Sequence, residues 1–478
     1  MNISMILEMA ASDGDRIVVT GAGRSLSAAE LLERARFAAA RFRDRPAVLY
    51  LGTNHPAYPV ALFGAALAGV PFVPLNYRLG DAQLTALRER HEGALVLEQD
   101  DLDALVAGAL PDGEPAVDLP DWDGDAVAVI IYTSGTTSDP KPAVLRHRHL
   151  LAYVLNTLEF GASEPTDAAL VAVPPYHIAG LTNLMSNLYT GRRVVYLPAF
   201  DPAEWLDTVR AERVTHAMLV PTMLARIVAE LGDGDAGTPT LQSLAYGGSR
   251  TPRTVLEHAL RAFPDTGFVN AYGLTETASS VAVLSPDDHR EAFGSTDAVV
   301  RDRLGSVGRP LPGIEIEIRT ESDDPVATGE TGLVFVRGEQ ISGEYGNRSV
   351  LDENGWFATR DLGRLDPDGY LYIDGRADDT IIRGGENIAP AEIEDVLLAH
   401  PGVVEAAVIG VADAEWGQRI VAVLVGDVDP AAVKDWVRER LRSSKTPDTV
   451  VLRSELPKTE TGKLLRRTLI TELENANA

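Results

Sequence analysis

Ala126-Val-Ala-Val-Ile-Ile-Tyr132-Thr-Ser-Gly-Thr-Thr-Ser-Asp-Pro-Lys141 joins two textures. Seven apolar or aromatic residues run together, and then five hydroxyls, a glycine and a lysine follow within nine positions. The first part is too short for a helix and too apolar for an exposed strand, so it reads as a strand covered on both faces. The second part is a donor-rich turn at that strand's C-terminal end, where α/β folds hold phosphate. It is not a Walker loop, which needs Gly-x-x-x-x-Gly-Lys-Ser/Thr. Taken alone, the turn is equally an ordinary Ser/Thr-rich loop, so its surroundings must decide.

On both sides the chain alternates helical and strand-like segments. Ser27-Ala-Ala-Glu30 is a capping-box pattern opening an Ala/Leu-rich helix to about Phe42. Strands are expected at 47–51, 71–75, 94–97, 168–173, 193–197, 214–220, 241–246 and 267–270, with helices at 58–68 and 81–90. Short apolar runs separated by helices predict a mostly parallel, doubly covered sheet. After about Leu284 the texture changes. Short strands between Gly, Pro and Asp, with a turn at Asp366-Pro-Asp-Gly369, predict an antiparallel subdomain over about 286–375. From about Asp379 a compact α+β unit of about 100 residues is expected. The fold class is therefore α/β: a large N-terminal domain (1–377) and a small C-terminal domain (378–478).

Composition narrows the function. A chain of 478 residues exceeds one ordinary core, and its net charge of −27 disfavours nucleic acid and anionic membranes as partners. There is no cysteine, so disulfides, thiolate metal sites and an internal thiol nucleophile are excluded. The N-terminus does not read as a secretory signal, and the apolar stretch near Val60–Leu75 is broken by glycines and prolines. A cytoplasmic location is expected. Of 43 basic residues only five are lysines: Lys141, Lys434, Lys445, Lys458 and Lys463. Ammonium and guanidinium differ around phosphate oxygens, so Lys141 and Lys463, both in Gly/Thr loops, are candidates for a specific task.

Two further groupings carry chemistry. Asn270-Ala-Tyr-Gly-Leu-Thr-Glu276 combines a flat aromatic face, a hydroxyl and a carboxylate, which suits a base, a phosphate and Mg²⁺. Asp361, after Gly355-Trp-Phe, and Arg376, after Gly375, suit a ribose diol and its neighbouring oxygens.

Together these motifs resemble the adenylate-forming superfamily, which contains the AMP-dependent acyl- and aryl-CoA synthetases, peptide-synthetase adenylation domains and beetle luciferases. The resemblance runs from about Ser25 to Leu469. It rests on Tyr132-Thr-Ser-Gly-Thr-Thr137, Ala245-Tyr-Gly-Gly-Ser249, Tyr272-Gly-Leu-Thr-Glu276, Asp361, Gly375-Arg376, Gly384-Gly385-Glu-Asn-Ile388, Pro390-Ala-Glu-Ile-Glu394 and Pro457-Lys-Thr-Glu-Thr-Gly-Lys463. It implies activation of a carboxylic acid by ATP and Mg²⁺ to an acyl-adenylate, then transfer to coenzyme A. The alternative is transfer to a carrier-protein phosphopantetheine or a nitrogen nucleophile. A monomer or homodimer is expected.

The resemblance also assigns residues. Thr133, Ser134, Gly135, Thr136, Thr137 and Lys141 would close on the β- and γ-phosphates. Gly247, Gly248, Ser249, Asn270, Ala271 and Gly273 would help to form the nucleotide site. Tyr272 would stack on adenine, Thr275 would hold the α-phosphate, and Glu276 would hold Mg²⁺. Asp361 and Arg376 would take the ribose. Lys463 would bridge carboxylate and α-phosphate, Asp378 would be the hinge of a mobile lid, and Gly384, Gly385 and Glu386 would shape a thiol channel. His177, Ile178, Gly180, Tyr246, Gly247, Ala271 and Gly273 would line the acid pocket, with His177 a candidate catalytic residue. His177 stands where amino-acid-activating relatives carry an aspartate, which favours an acid without an α-amino group. Three positions depart from the pattern: Ser138, Pro142 and Arg360 each stand where a glycine is usual.

Overall fold

The computed structural model describes residues 1–108, 123–133, 140–383, 386–413, 416–441, 443–459, 462 and 464–476. The helix Ala28–Phe42 starts where the sequence asks: Glu30 N–H donates to Ser27 Oγ (3.2 Å) and Ser27 N–H donates to Glu30 Oε2 (2.8 Å). It packs on the helix Ala57–Ala68, whose residues are nearly all buried. Gly64 makes the approach possible, because a Cβ there would sit 2.8 Å from the Ala38 side chain. Among the described residues no helix is long and apolar enough to cross a membrane.

The expected α/β body is present, but its strands form two large sheets. One runs Arg309–Pro310, Ser279–Leu284, Gly267–Leu274, Ser243–Gly247, His216–Leu219, Ala168–Val171, Arg193–Tyr196, Ile17–Gly21 and Arg24–Ser27. The other runs Arg348–Ser349, Glu344–Tyr345, Lys141–Arg146, Val127–Thr133, Phe72–Pro74, Val48–Leu51 and Leu95–Glu98. The first is parallel in the middle and antiparallel at both edges, whereas the second is parallel from Val127–Thr133 out to its Leu95–Glu98 edge and antiparallel on the other side.

Two local expectations change. Lys141 does not lie in the loop but opens the strand Lys141–Arg146, antiparallel to Val127–Thr133 with Thr133 opposite Lys141. The strand beginning at Gly267 does not end at Asn270 but runs to Leu274, because Ser279–Leu284 folds back and pairs with it. The Tyr272 motif therefore lies on a strand and not in a turn after one.

Pro286–Gly294 and Ala298–Asp302 are helices, the second continued by a 3₁₀ turn Arg303–Gly305, and Ala292 and Leu304 join the large core. The antiparallel sheet comprises Glu315–Arg319, Gly332–Arg337, Phe357–Leu365 and Leu371–Arg376. The C-terminal unit places three strands, Val403–Asp413, Gly417–Gly426 and Thr449–Leu452, between helices. Strand alternation divides its apolar residues into two clusters: Val408, Ile420 and Ala422 with Ile393 and Leu397, and Ala407, Ile409 and Val421 with Leu456 and Leu469.

Four histidines are built into this fold: His147, His149, His216 and His289. Burial pushes each down to about 4, so the folded chain holds them neutral. An unfolded histidine protonates near 6.5. Between those values the unfolded chain binds more protons, so stability is lost as pH falls from about 6.5 to 4. Each group withdraws on the order of 2–3 kcal/mol across that window. The melting temperature is expected to drop steeply below pH 6, and His289→Gln should flatten part of the drop in a pH-resolved melting series.

Candidate active site

The site is assembled where the two large sheets and the antiparallel sheet meet. Ser243–Gly247 runs parallel to Gly267–Leu274, with Tyr246 opposite Asn270 and Gly247 opposite Ala271. Gly247 has no alternative, because a Cβ there would fall on the Ala271 carbonyl oxygen. Gly248 then leaves the strand at φ +89°, and Ser249 is exposed. Asn270 through Thr275 are half-buried, as expected for residues lining a cleft inside a large body.

Tyr272, Asp361 and Arg376 come together from distant positions. The Tyr272 hydroxyl donates to Asp361 Oδ2 at 2.5 Å, and Arg376 Nε lies 3.0 Å from Asp361 Oδ1. Asp361 and Arg376 are direct partners across their hairpin, and Arg376 also donates to the Thr359 carbonyl at 2.9 Å. Asp361 is 5% exposed. Burial, and then the Asp361 charge, push the Tyr272 hydroxyl well above its ordinary range, so it remains a donor.

Glu276 lies one short 3₁₀ turn beyond the strand, in Thr275–Thr277, and is 7% exposed. Its carbonyl accepts the N–H groups of Ser342 (2.9 Å) and Gly343 (3.2 Å), and Gln340 Nε2 donates to the Thr277 carbonyl at 2.9 Å. Its carboxylate accepts the Tyr345 hydroxyl. Among the described residues no cation pairs with this buried carboxylate. A buried negative charge without a cation is costly, and a divalent ion that takes one or two carboxylates besides phosphate oxygens would relieve it. The residues present therefore fit Mg²⁺.

His177 precedes the helix Ile178–Thr190, its carbonyl accepting the Gly180 N–H at 3.0 Å. Its ring is 4.6 Å from that of Tyr176, which meets Tyr77 edge-on at 5.8 Å. Ile178 and Ala179 are half-buried beside it.

Two candidates are engaged elsewhere. Tyr246 is 1% exposed, its hydroxyl on His289 Nε2 at 2.8 Å and its ring against Phe268. Asn270 Nδ2 donates to the Ser306 carbonyl at 3.1 Å. Thr133 ends its strand, with Oγ1 3.4 Å from the Lys141 carbonyl. Ser134, Gly135, Thr136 and Thr137, the departure Ser138, Gly384, Gly385 and Lys463 lie outside the described residues. Glu386 opens the short strand Glu386–Ile388.

The C-terminal unit sits against this cleft. Gly462, at φ +77°, lies so close to Thr222 that a Cβ would overlap the threonine side chain, and Arg250 pairs with Asp395 of the helix Pro390–Leu398. Gly462 brings the chain to the start of the helix Pro221–Leu231, near Gly248, whose Cβ position is 3.9 Å from Val220. Asp378 lies in the turn Ala377–Asp379, 3.6 Å from Arg360. Arg360 has φ +62°, the left-handed region that suits glycine.

Sequence reasoning missed Gln340, Ser342 and Tyr345. They are brought to Glu276 by the strand Glu344–Tyr345 joining the second sheet, and no local spacing announces that pairing.

The AMP-binding enzyme model matches residues 7–345 and the AMP-binding enzyme C-terminal domain model matches residues 392–463. The chain belongs to the AMP-binding enzyme family, the adenylate-forming enzymes. It is 37% identical over 474 residues to a feruloyl-CoA synthase from a Streptomyces species, covering 93% of each chain. It is 33% identical to a 2-succinylbenzoate–CoA ligase from Bacillus licheniformis, covering 95% of this chain and 96% of that one. The solved o-succinylbenzoate CoA synthetase from Bacillus subtilis, in complex with its acyl-adenylate intermediate, superposes with a TM-score of 0.83 at 30% identity over 97% of each chain.

Proposed function

We propose that the protein joins a small or medium carboxylic acid without an α-amino group to coenzyme A at the expense of ATP. The observation that carries this is the pairing of Asp361 with Tyr272 and Arg376 beside a buried carboxylate, Glu276, that no cation among the described residues balances. Asp361 accepts from ribose hydroxyls, Tyr272 offers its ring to adenine, and Thr275 faces the α-phosphate. Mg²⁺, when held by Glu276, supplies a positive charge that screens the phosphate oxygens.

In the first half-reaction a carboxylate oxygen attacks the α-phosphorus. The bond from phosphorus to the bridging oxygen breaks, and pyrophosphate leaves with both electrons. Negative charge grows on the equatorial oxygens, where Lys463 and Thr275 would meet it with preorganised donors. In the second half-reaction the coenzyme A thiolate attacks the acyl carbon, the acyl–oxygen bond breaks, and AMP leaves. The chain contributes no thiol of its own, having no cysteine.

The acid pocket would be bounded by His177, Ile178, Ala179, Gly180, Gly247, Ala271 and Gly273, small or apolar apart from the histidine. That lining favours an acid with an aromatic or short aliphatic body, in keeping with the feruloyl, succinylbenzoate and indoleacetate ligases among the relatives. Residues 1–377 would form the adenylating body and 378–478 a lid that pivots at Asp378.

ATP–pyrophosphate exchange across a panel of aryl, arylalkyl and short aliphatic acids tests the reading, with mass detection of the thioester after coenzyme A is added. Exchange with at least one acid and a coenzyme A thioester as product is expected. No exchange with any acid would overturn it.

A further inference from the structure

From the contacts around Glu276 we infer that Tyr345 is a positioning residue for the metal-binding carboxylate, tying it to the strand that leaves the hydroxyl-rich phosphate loop. This rests on Glu276 holding Mg²⁺ as proposed above. The Tyr345 hydroxyl donates to Glu276 Oε1, which fixes the carboxylate's rotamer and leaves Oε2 to face the ion. A neutral donor suits this task better than an arginine or lysine, because it orients the carboxylate without cancelling the charge that attracts a divalent cation.

Tyr345 is itself held from the phosphate side. It pairs with Ala143 on the strand Lys141–Arg146, and the Gly346 N–H donates to the Pro142 carbonyl at 3.0 Å. One residue earlier, Glu344 receives both arms of Arg146 at 2.7 and 2.9 Å. Successive strand residues point to opposite faces, so Glu344 anchors the strand while Tyr345 reaches Glu276. Position 142 meets Gly346 through its carbonyl alone, because a proline has no N–H to give in return. The carboxylate for the ion and the strand that follows the phosphate loop therefore move as one piece.

Calorimetric titration of ATP into the whole protein, with Mg²⁺ and then with excess chelator, separates the outcomes without any catalytic step. Wild type should bind ATP more tightly when Mg²⁺ is present. Tyr345→Phe should lose about 10-fold of that Mg²⁺-dependent gain, with metal-free affinity unchanged and the melting temperature nearly so. Tyr345→Phe combined with Glu276→Gln should lose no more of the gain than Glu276→Gln alone. An undiminished Mg²⁺ gain in Tyr345→Phe, an equal loss with and without Mg²⁺, or additive losses in the double variant would each overturn the inference. A wild type indifferent to Mg²⁺ would instead remove the assignment of Glu276 beneath it.

Discussion

Lys463→Ala is expected to reduce ATP–pyrophosphate exchange by about 10²–10³-fold, the usual cost of removing one preorganised donor from a developing phosphate charge. Thioester formation from a supplied acyl-adenylate should survive largely intact. The split follows from where the preceding residue sits. Gly462 is pressed against Thr222 at the edge of the cleft, and Lys463 is proposed to serve the adenylating step from that side. Once the adenylate has formed, the lysine's work is finished, and the lid is proposed to turn away. The two half-reactions are measured separately, one by exchange of labelled pyrophosphate and one by release of AMP from a synthetic adenylate with coenzyme A. Equal loss in both would contradict a lid with two working positions.

Asp361→Ala should raise the KM for ATP by about 100-fold, the equivalent of losing two charge-assisted hydrogen bonds of about 1.5 kcal/mol each. It should also abolish discrimination against 2′-deoxy-ATP, which a merely destabilised protein would retain. The structural cost is separate and measurable by denaturation. Asp361 is the acceptor for both Tyr272 and Arg376, so its removal takes an acceptor from each of two donors facing the cleft. Asp361→Asn keeps the shape and one acceptor oxygen, and is expected to fall between the wild type and the alanine variant in both measurements. An ATP KM unchanged in Asp361→Ala would remove the ribose from this carboxylate.

What could be read from the chain alone was whatever a few neighbouring residues decide. Ser27 and Glu30 cap each other across one helical turn, and the sequence shows both. The Asp366–Gly369 turn is equally local: Asp366 Oδ1 accepts the N–H groups of Asp368 (2.9 Å) and Tyr370 (2.8 Å), and Gly369 adopts φ +82°. Asp361 and Arg376 form one grouping in the sequence, and their direct pairing follows from the hairpin register between them.

Three of the lysines are engaged inside the C-terminal unit. Lys434 donates to the Asp448 carbonyl, Lys445 pairs with Glu392, and Lys458 is 2.6 Å from Glu405, all within the C-terminal unit. What stayed hidden depends on strands that meet across long stretches of chain. In the sequence Lys141 closes the donor-rich turn, and only partners on both sides make Lys141–Arg146 a strand. Tyr345 reaches Glu276 from 69 positions away through that same pairing. Tyr246 was placed in the acid pocket from its motif, but a strand residue faces one side or the other. His289, on the helix Pro286–Gly294, shows which side it took.

Arg360 and Asp378 bear on how the C-terminal unit is kept in place. Their charged groups are 3.6 Å apart with side chains 63% and 44% exposed, and such a pair contributes about 0–1 kcal/mol and is screened by ordinary salt. A clasp this weak cannot fix the angle of whatever turns about it. The unit meets the body again at the far margin, where Gly462 abuts Thr222 and Asp395 meets Arg250. With the proposed hinge at Asp378, the unit would be a door kept shut by its catch while its hinge stays loose. Crowding the catch, for example with a bulkier residue at 462, would leave the door ajar without touching the pin.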